Sequence, residues 1–162
     1  MAGSPPGADA PPAEWWERLA ARAIEAFVFG LLYYILFIAL WGGFRTVGML
    51  EAFDGRLPGV FAWLVVGLAY TGYDWRAHYR RGRTFGKAIM GIRLAPPHVA
   101  SRALLKRALV YPGPVMLMGI PVANLVAGML LFCVGLLILI DKPLERGPHD
   151  RLAGTRVVKD LR

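Results

Sequence analysis

Long runs of apolar residues dominate the pattern along this chain. Residues 19–41 and 57–75 each hold enough consecutive apolar side chains to cross a bilayer core, which takes roughly 20 residues. Residues 108–140 carry no formal charge, but prolines interrupt this run, which is longer than one tilted helix needs. It forms either one span with a re-entrant piece or two short spans, 103–119 and 122–140. The pattern therefore predicts an all-α membrane protein, a helical bundle of three or four transmembrane helices.

The distribution of basic residues favours four crossings over three. The start of the first helix, the loop 76–102 with the residues that follow it, and the tail 141–162 hold all 19 Lys and Arg residues except Arg45 and Arg56. With four crossings these regions lie on one side of the membrane. Cytoplasmic loops are enriched in Lys and Arg, so we expect both termini in the cytoplasm.

The remaining segments predict a tail, one domain and a small sheet. Residues 1–14 are rich in Pro and small side chains, which predicts a disordered tail before a single domain over 15–160. Residues 91–94 and 154–158 each place strand-forming side chains after a glycine, and we expect them to pair. Such a pair requires the basic loop and the tail to share a side.

Composition narrows the class of function. The chain is 56% hydrophobic, with 19 basic against 11 acidic residues, which fits a membrane protein with basic loops better than a nucleic-acid-binding protein. The one cysteine, Cys133, excludes an intrachain disulfide and a cysteine-cluster metal site. We expect no enzyme chemistry, no metal and no cofactor, because no nucleophile or ligand spacing is present. We expect Arg80, Arg81, Arg83 and Lys87 to form a patch that faces anionic lipid headgroups.

Charged residues begin the first apolar helix. Arg18, Arg22 and Glu25 have the spacing of one helical face. A carboxylate at membrane depth costs about 2.5–3.5 kcal/mol, so something must offset that cost. Glu25 either forms a local network with an arginine or titrates in a proton or cation relay. Because two arginines favour the ionised carboxylate, we favour the local network.

The sequence also predicts positions for two further acidic residues, Asp150 and Asp74. Asp150 either forms a salt bridge between the tail and the basic loop or folds back to the arginine end of the first helix, and we favour the salt bridge. Asp74 ends the second span between aromatic residues, which predicts an interfacial position. In the third span, Arg102, Lys106 and Arg107 would have to reach the interface along their aliphatic stems.

Three segments together resemble the RDD family of small membrane proteins. They are Arg18–Glu25, Thr84–Arg93 and His149–Val158, which match an arginine-led helix, a T-x-G-K stretch and an H-D-x-x-A-G-T ending. The resemblance covers residues 15–160. It places the family arginine on Arg18 and the second family aspartate on Asp150, whereas the first aspartate position holds Glu25. The other family-motif positions are Thr84, Gly86, Lys87, His149, Gly154 and Thr155.

The resemblance implies a multi-pass protein of the bacterial inner membrane. It implies transport of a small ion or ligand, with cation/proton exchange at the charged cluster Arg18, Arg22, Glu25 and Asp150 as the specific form. The alternative is a non-transporting membrane adaptor or assembly factor with a basic cytoplasmic surface. Four short helices enclose little volume, so transport would require a homo-oligomer.

Overall fold

Three long helices and a group of short elements make up the fold. The computed structural model describes residues 10–141 and 146–160, and gives only the backbone of Ala52 and Phe53. The elements are the helices α1 (Trp15–Thr46), α2 (Leu57–Arg81), α3 (Phe85–Ile89), α4 (Ser101–Val110), α5 (Ala123–Ile140) and α6 (Pro148–Ala153), and the strands β1 (Ile92–Ala95) and β2 (Arg156–Lys159). Two 3-10 helices, Ala52–Gly55 and Gly113–Leu117, lie between them. Residues 1–9 of the predicted tail, and Lys142 and Arg162 of the basic tail, lie outside the described residues.

The helices α1 and α5 are long and apolar enough to cross a membrane. Their most apolar stretches have mean hydropathies of 2.2 and 2.6, yet only 6% and 11% of those stretches is buried. A core helix of a soluble protein would bury such a surface, so the exposed apolar faces support the predicted membrane-protein character. The helix α1 starts at Trp15 because the Glu14 amide donates to Glu17 Oε2 at 2.7 Å, which satisfies one free N–H of the first turn.

Aromatic contacts hold α1 and α2 in an antiparallel pair. The rings of Phe29 and Tyr70 stack with centroids 4.3 Å apart, and those of Tyr33 and Trp63 at 4.2 Å. From the first contact to the second, the residue number rises on α1 and falls on α2, so the two helices run in opposite directions. The helix α2 ends at Gly82, whose φ of 66° lies in the left-handed region that favours glycine.

The segment expected as one short helix over 103–119 is broken in the structure. The helix α4 ends at Val110, and a 3-10 helix follows over Gly113–Leu117. Pro112 and Pro114 explain the break, because proline has no N–H for the helical ladder and its ring clashes with the preceding turn. The segment is therefore two short helical pieces joined at the prolines.

These pieces run antiparallel to α2 in close contact with it. A Cβ on Gly67 would overlap the Met116 backbone, and a Cβ on Gly119 would lie 2.7 Å from Val60 Cα. From Gly67 to Val60 the helix rises about 10 Å, at 1.5 Å per residue. The two glycines therefore allow the backbones to approach where larger residues would hold them apart.

The predicted strand pair is confirmed. The strands β1 and β2 are antiparallel, with Ile92 opposite Lys159 and Leu94 opposite Val157. The sheet requires the segment after α2 and the C-terminal tail to lie at the same end of the protein. This is the end that contains the first turns of α1.

The chain before α1 also joins this end. Pro12 forms a bridge with Val158, and the Ala13 amide donates to the Val157 carbonyl at 3.0 Å. The prediction of a disordered tail over 1–14 is therefore wrong for residues 11–13, because their backbone groups find partners along β2. The apolar cluster under this sheet consists of Ala13, Ala21, Ile92, Leu94, Leu104 and Val157.

The close approach at Gly67 leads to a stability prediction. We expect Gly67→Ala to lower the free energy of unfolding by about 1–3 kcal/mol, because the added methyl group overlaps the Met116 backbone. Gly72→Ala on the same helix is the control, since a Cβ there meets nothing within 4 Å. Thermal unfolding in detergent should show a lower midpoint for Gly67→Ala alone. Equal midpoints in both variants would contradict the tight contact.

Candidate functional site

Arg22 joins two buried carboxylates from different helices. Its Nη1 lies 2.6 Å from Glu25 Oε2 and 2.7 Å from Asp74 Oδ1. Both carboxylates are 0% exposed. The guanidinium of Arg22 therefore connects α1 to the last turns of α2, and it offsets the charge of Glu25 from three residues away.

Two hydroxyl groups complete the surroundings of Glu25. The Tyr70 hydroxyl donates to Glu25 Oε2 at 3.0 Å, and the Thr84 hydroxyl donates to Oε1. Thr84 reaches Glu25 because α3 packs directly on α1, where a Cβ on Gly86 would overlap the Ala21 carbonyl. Glu25 is thus enclosed by donors from α1, α2 and the start of α3.

Arg107 joins Asp74 to the C-terminal tail. Its Nη1 lies 3.2 Å from Asp74 Oδ2, and its Nε lies 3.0 Å from Asp150 Oδ1. The Thr155 hydroxyl also donates to Asp150 Oδ1, at 3.2 Å. Arg107 is 1% exposed, so this link between α2, α4 and α6 is fully buried.

Lys87 contacts an imidazole. Its Nζ lies 2.8 Å from His78 Nε2, and His78 Nδ1 lies 2.7 Å from the Asp74 carbonyl oxygen. The nitrogen beside the carbonyl carries the proton, so Nε2 accepts a hydrogen bond from Lys87. Burial, with Arg107 and Arg22 nearby, holds the pKa of Lys87 well below its usual value. We refer to the following residues as the charge network: Arg22, Glu25, Asp74, His78, Lys87, Arg107 and Asp150.

The tail residues next to this network are held in defined charge states. Burial lowers the pKa of His149 to about 3, so its imidazole is neutral at neutral pH. Burial alone would raise the pKa of Asp150, but His149 and the Arg107 guanidinium hold it below its usual value. Asp150 is therefore an ionised carboxylate at neutral pH, with Arg107 as its counter-charge.

Arg18 lies apart from Asp150. Its Nε donates to the Ala13 carbonyl at 3.1 Å and its Nη2 to the Val157 carbonyl at 3.2 Å. It thus fastens the chain before α1 to β2. Of the predicted cluster, the structure brings Arg22 and Glu25 together, and it places Asp150 against Arg107 of the basic segment.

The predicted lipid-facing patch is smaller than expected. Arg80 and Arg81 are exposed, whereas Arg83 is half-buried and forms an ion pair with Asp160. The expectation that Lys87 belongs to this patch is wrong, because Lys87 is buried against His78.

Sequence reasoning missed three members of the network, and His78 is one of them. Asp74 was expected at the membrane interface, but it is buried. Arg107 was expected to reach the interface, as was Lys106, but Arg107 is also buried. The i,i+4 spacing of Asp74 and His78 indicates a shared helical face and could have suggested their contact. Arg107 follows Arg102 by five residues, which turns it away from the exposed face of α4.

A cavity of about 400 Å³ lies beside the network, between the first turns of α1 and the second half of α5. We call it the α1–α5 cavity. Its lining combines the basic residues Arg18, Arg22, Lys87 and Arg107 with His149, Asp150 and an apolar wall from both helices. A second cavity of about 240 Å³, the loop cavity, is lined by His78 and by residues around Pro96 and Pro97. The Lys87–His78 contact therefore joins the linings of two cavities.

The comparison with protein families identifies the family of this chain. The model of the RDD family matches residues 12–154. The chain belongs to the RDD family. No curated protein and no solved structure matches it.

The motif segments of this RDD protein meet in the charge network. Thr84 and Gly86 of the second segment contact Glu25 and Ala21 of the first, while Asp150 of the third reaches the others through Arg107. Gly154, with a φ of 64°, ends α6 and turns the chain into β2.

Removing Arg107 from the RDD protein should be strongly destabilising. Arg107→Leu leaves Asp74 and Asp150 without their shared guanidinium, and we expect a loss of about 3–5 kcal/mol in the free energy of unfolding. The matched control is Arg102→Leu on the exposed part of α4, which should change stability by at most about 0.5 kcal/mol. Unfolding in detergent followed by circular dichroism measures both, and similar losses would count against a buried link at Arg107.

The burial of His149 gives the RDD protein an acid sensitivity. The unfolded chain binds a proton at this residue below its usual pKa of about 6.5, whereas the folded chain does so only near 3. The contribution of neutral His149 to the free energy of unfolding is therefore complete above pH 6.5. It falls with decreasing pH and is about 2 kcal/mol smaller at pH 5.

The His149→Gln variant should lose less stability than the wild type between pH 7 and pH 5. His98→Gln is the control, because His98 is exposed and should leave the pH profile unchanged. Thermal unfolding at several pH values measures the difference. Parallel profiles for the wild type and His149→Gln would show that this imidazole is not buried in its neutral form.

Proposed function

We propose that this RDD protein exchanges a proton for a small monovalent cation across the bacterial inner membrane. The contact between Lys87 Nζ and His78 Nε2, at 2.8 Å, carries the proposal. Both groups are buried bases, so the pair holds one proton far more readily than two. A lysine that served only as a structural counter-charge would be expected to face a carboxylate.

The charges of the network support a one-for-one exchange. With Lys87 protonated, its cations Lys87, Arg22 and Arg107 balance the three carboxylates Glu25, Asp74 and Asp150. Loss of the Lys87 proton leaves one net negative charge in a region of low dielectric constant. An uncompensated buried charge is costly, so release of the proton is most favourable when a cation enters.

The loop cavity supports access of protons to this pair. His78 lines the cavity, which lies among residues that connect α2 to α4. Glu25 lines neither of the two cavities described above, and its oxygens accept from three donors. We therefore assign the exchangeable proton to Lys87 and His78, and a fixed counter-charge to Glu25.

The arrangement of the helices supports the proposed topology. We infer four crossings, formed by α1, α2, the broken segment 101–119 and α5. Pro12 pairs with Val158, which fits both termini on one side, and the basic loop and tail make that side the cytoplasm. Four short segments enclose little volume, so we propose a homo-oligomer.

An adaptor or assembly factor is the second candidate. A set of exposed basic residues at the ends of α2 and α4 favours it; they are Arg76, Arg80, Arg81, Arg102 and Lys106. Such a surface attracts anionic headgroups by about 1 kcal/mol per basic residue. In that case the charge network would only fix the relative positions of the helices.

Flux measurements with Lys87 variants test the exchange. We expect wild-type proteoliposomes that contain the pH-sensitive dye pyranine to show proton movement when a Na⁺ or K⁺ gradient is applied. Lys87→Met should lower this flux to the level of empty liposomes, because methionine carries no proton. Lys87→Arg should do the same, because arginine retains its proton.

Lys106→Met is the matched control, since Lys106 is exposed on α4 and should leave the flux unchanged. Size-exclusion profiles and unfolding midpoints of all variants show whether they fold. Wild-type flux in folded Lys87→Met would overturn the assignment of the proton to Lys87. Absence of flux in the wild type with both cations would overturn the exchange and favour the adaptor.

A further inference from the structure

The α1–α5 cavity combines an apolar wall with a cationic floor. The second half of α5 supplies much of the wall, and Trp15 and Leu19 of α1 add to it. These side chains are not covered by the rest of the chain: Phe132 is 70% exposed and Trp15 is 52% exposed. The cavity is therefore open along its apolar side, where a membrane protein meets acyl chains.

The charged lining of the cavity is unequal. Four basic side chains line it, namely Arg18, Arg22, Lys87 and Arg107, against the single carboxylate of Asp150. Glu25 and Asp74, which balance Arg22 within the network, do not line the cavity. An occupant therefore meets more positive than negative charge, which selects an anion and disfavours the cation of the proposed exchange.

Arg22 adds a donor without an acceptor. Its Nη1 serves both Glu25 and Asp74, while its Nη2 is buried and has no hydrogen-bond partner among the described residues. A buried donor left unsatisfied destabilises the folded state, because it has lost its hydrogen bonds to water. Phosphate oxygens are strong acceptors for guanidinium groups, so a phosphate beside Arg22 would remove this cost.

We propose that the α1–α5 cavity binds an anionic phospholipid, with its phosphate on the cationic floor and one acyl chain along α5. From Leu131 to Leu139 the wall extends about 12 Å along the helix, long enough to hold a large part of an acyl chain. Trp15 lies beside the proposed phosphate position, and indole rings prefer the headgroup level of a bilayer. This inference does not depend on cation exchange.

Gly135 offers a way to fill the cavity without altering its charges. It lines the cavity, and a Cβ there meets nothing within 4 Å. Gly135→Phe therefore places a ring in the space of the acyl chain, and Gly135→Leu fills it in part. Gly128→Phe is the matched control, because Gly128 lies two turns earlier on α5, has equally open space and does not line the cavity.

Native mass spectrometry of protein purified in a neutral detergent measures the binding of added phosphatidylglycerol. We expect the wild type and Gly128→Phe to retain it, and Gly135→Phe to bind it at least about tenfold more weakly, the equivalent of ~1.4 kcal/mol. Gly135→Leu should bind with intermediate affinity. Phosphatidylcholine should bind more weakly than phosphatidylglycerol in the wild type, since its headgroup carries no net charge.

Thermal unfolding provides a second measurement and shows whether each variant folds. Phosphatidylglycerol should raise the midpoint of the wild type and of Gly128→Phe but not that of folded Gly135→Phe, and inorganic phosphate should raise none of them. Equal binding of phosphatidylglycerol and phosphatidylcholine would overturn the role of the cationic floor. An equal rise with inorganic phosphate alone, or unchanged lipid binding in Gly135→Phe, would overturn the role of the acyl chain.

Discussion

The carboxylate of Asp74 is the group on which the arrangement of the helices depends. It lies on α2 and accepts from Arg22 of α1 and Arg107 of α4. An ionised carboxylate without partners costs several kcal/mol in a region of low dielectric constant. The relative placement of α1, α2 and α4 in the structure brings both guanidinium groups to it. Salt bridges of this kind add little net stability, but breaking them is expensive, so they select one register.

The network also requires backbones to approach closely at α3. Because Gly86 has no Cβ, α3 can contact α1 at the Ala21 carbonyl. The neighbouring residues then follow: Thr84 reaches Glu25 and Lys87 is carried into the interior against His78. The absence of a side chain at Gly86 thus allows the neighbouring Thr84 to contact Glu25. The T-x-G-K segment therefore acts as a structural unit that joins Glu25 to the Lys87–His78 pair.

The parts of the fold that depend on local pattern could be predicted from the sequence. Apolar runs indicated α1, α2 and α5, and a glycine before β-branched residues indicated the strand pair. The spacing of Arg22 and Glu25 indicated that a guanidinium would lie near the carboxylate. The helices and the Arg22–Glu25 contact need only one segment each, whereas the strand pair joins two segments that each carry a local strand pattern.

The rest of the site depends on contacts between segments that are distant in the sequence. The local pattern of apolar and polar residues does not indicate such contacts. Asp74 looked interfacial because tyrosine and tryptophan flank it, and Lys87 looked exposed because it follows three arginines. Arg107 could be placed in the interior only by knowing that Asp74 and Asp150 both approach α4. The break at Pro112 was visible in the sequence, but the path of the chain after it depends on packing against Gly67 of α2.

The hydrogen bonds of Glu25 and Lys87 differ in kind. Glu25 accepts from Arg22, Tyr70 and Thr84, so protonating it would disturb three donors at once. Lys87 instead shares its contact with a base, where moving a proton exchanges one N–H···N hydrogen bond for another. Glu25 therefore supplies a stable negative charge on α1, and Asp150 supplies another that is paired with Arg107. The carboxylate of Asp150 in the C-terminal tail also offsets the repulsion between Arg107 and Lys87.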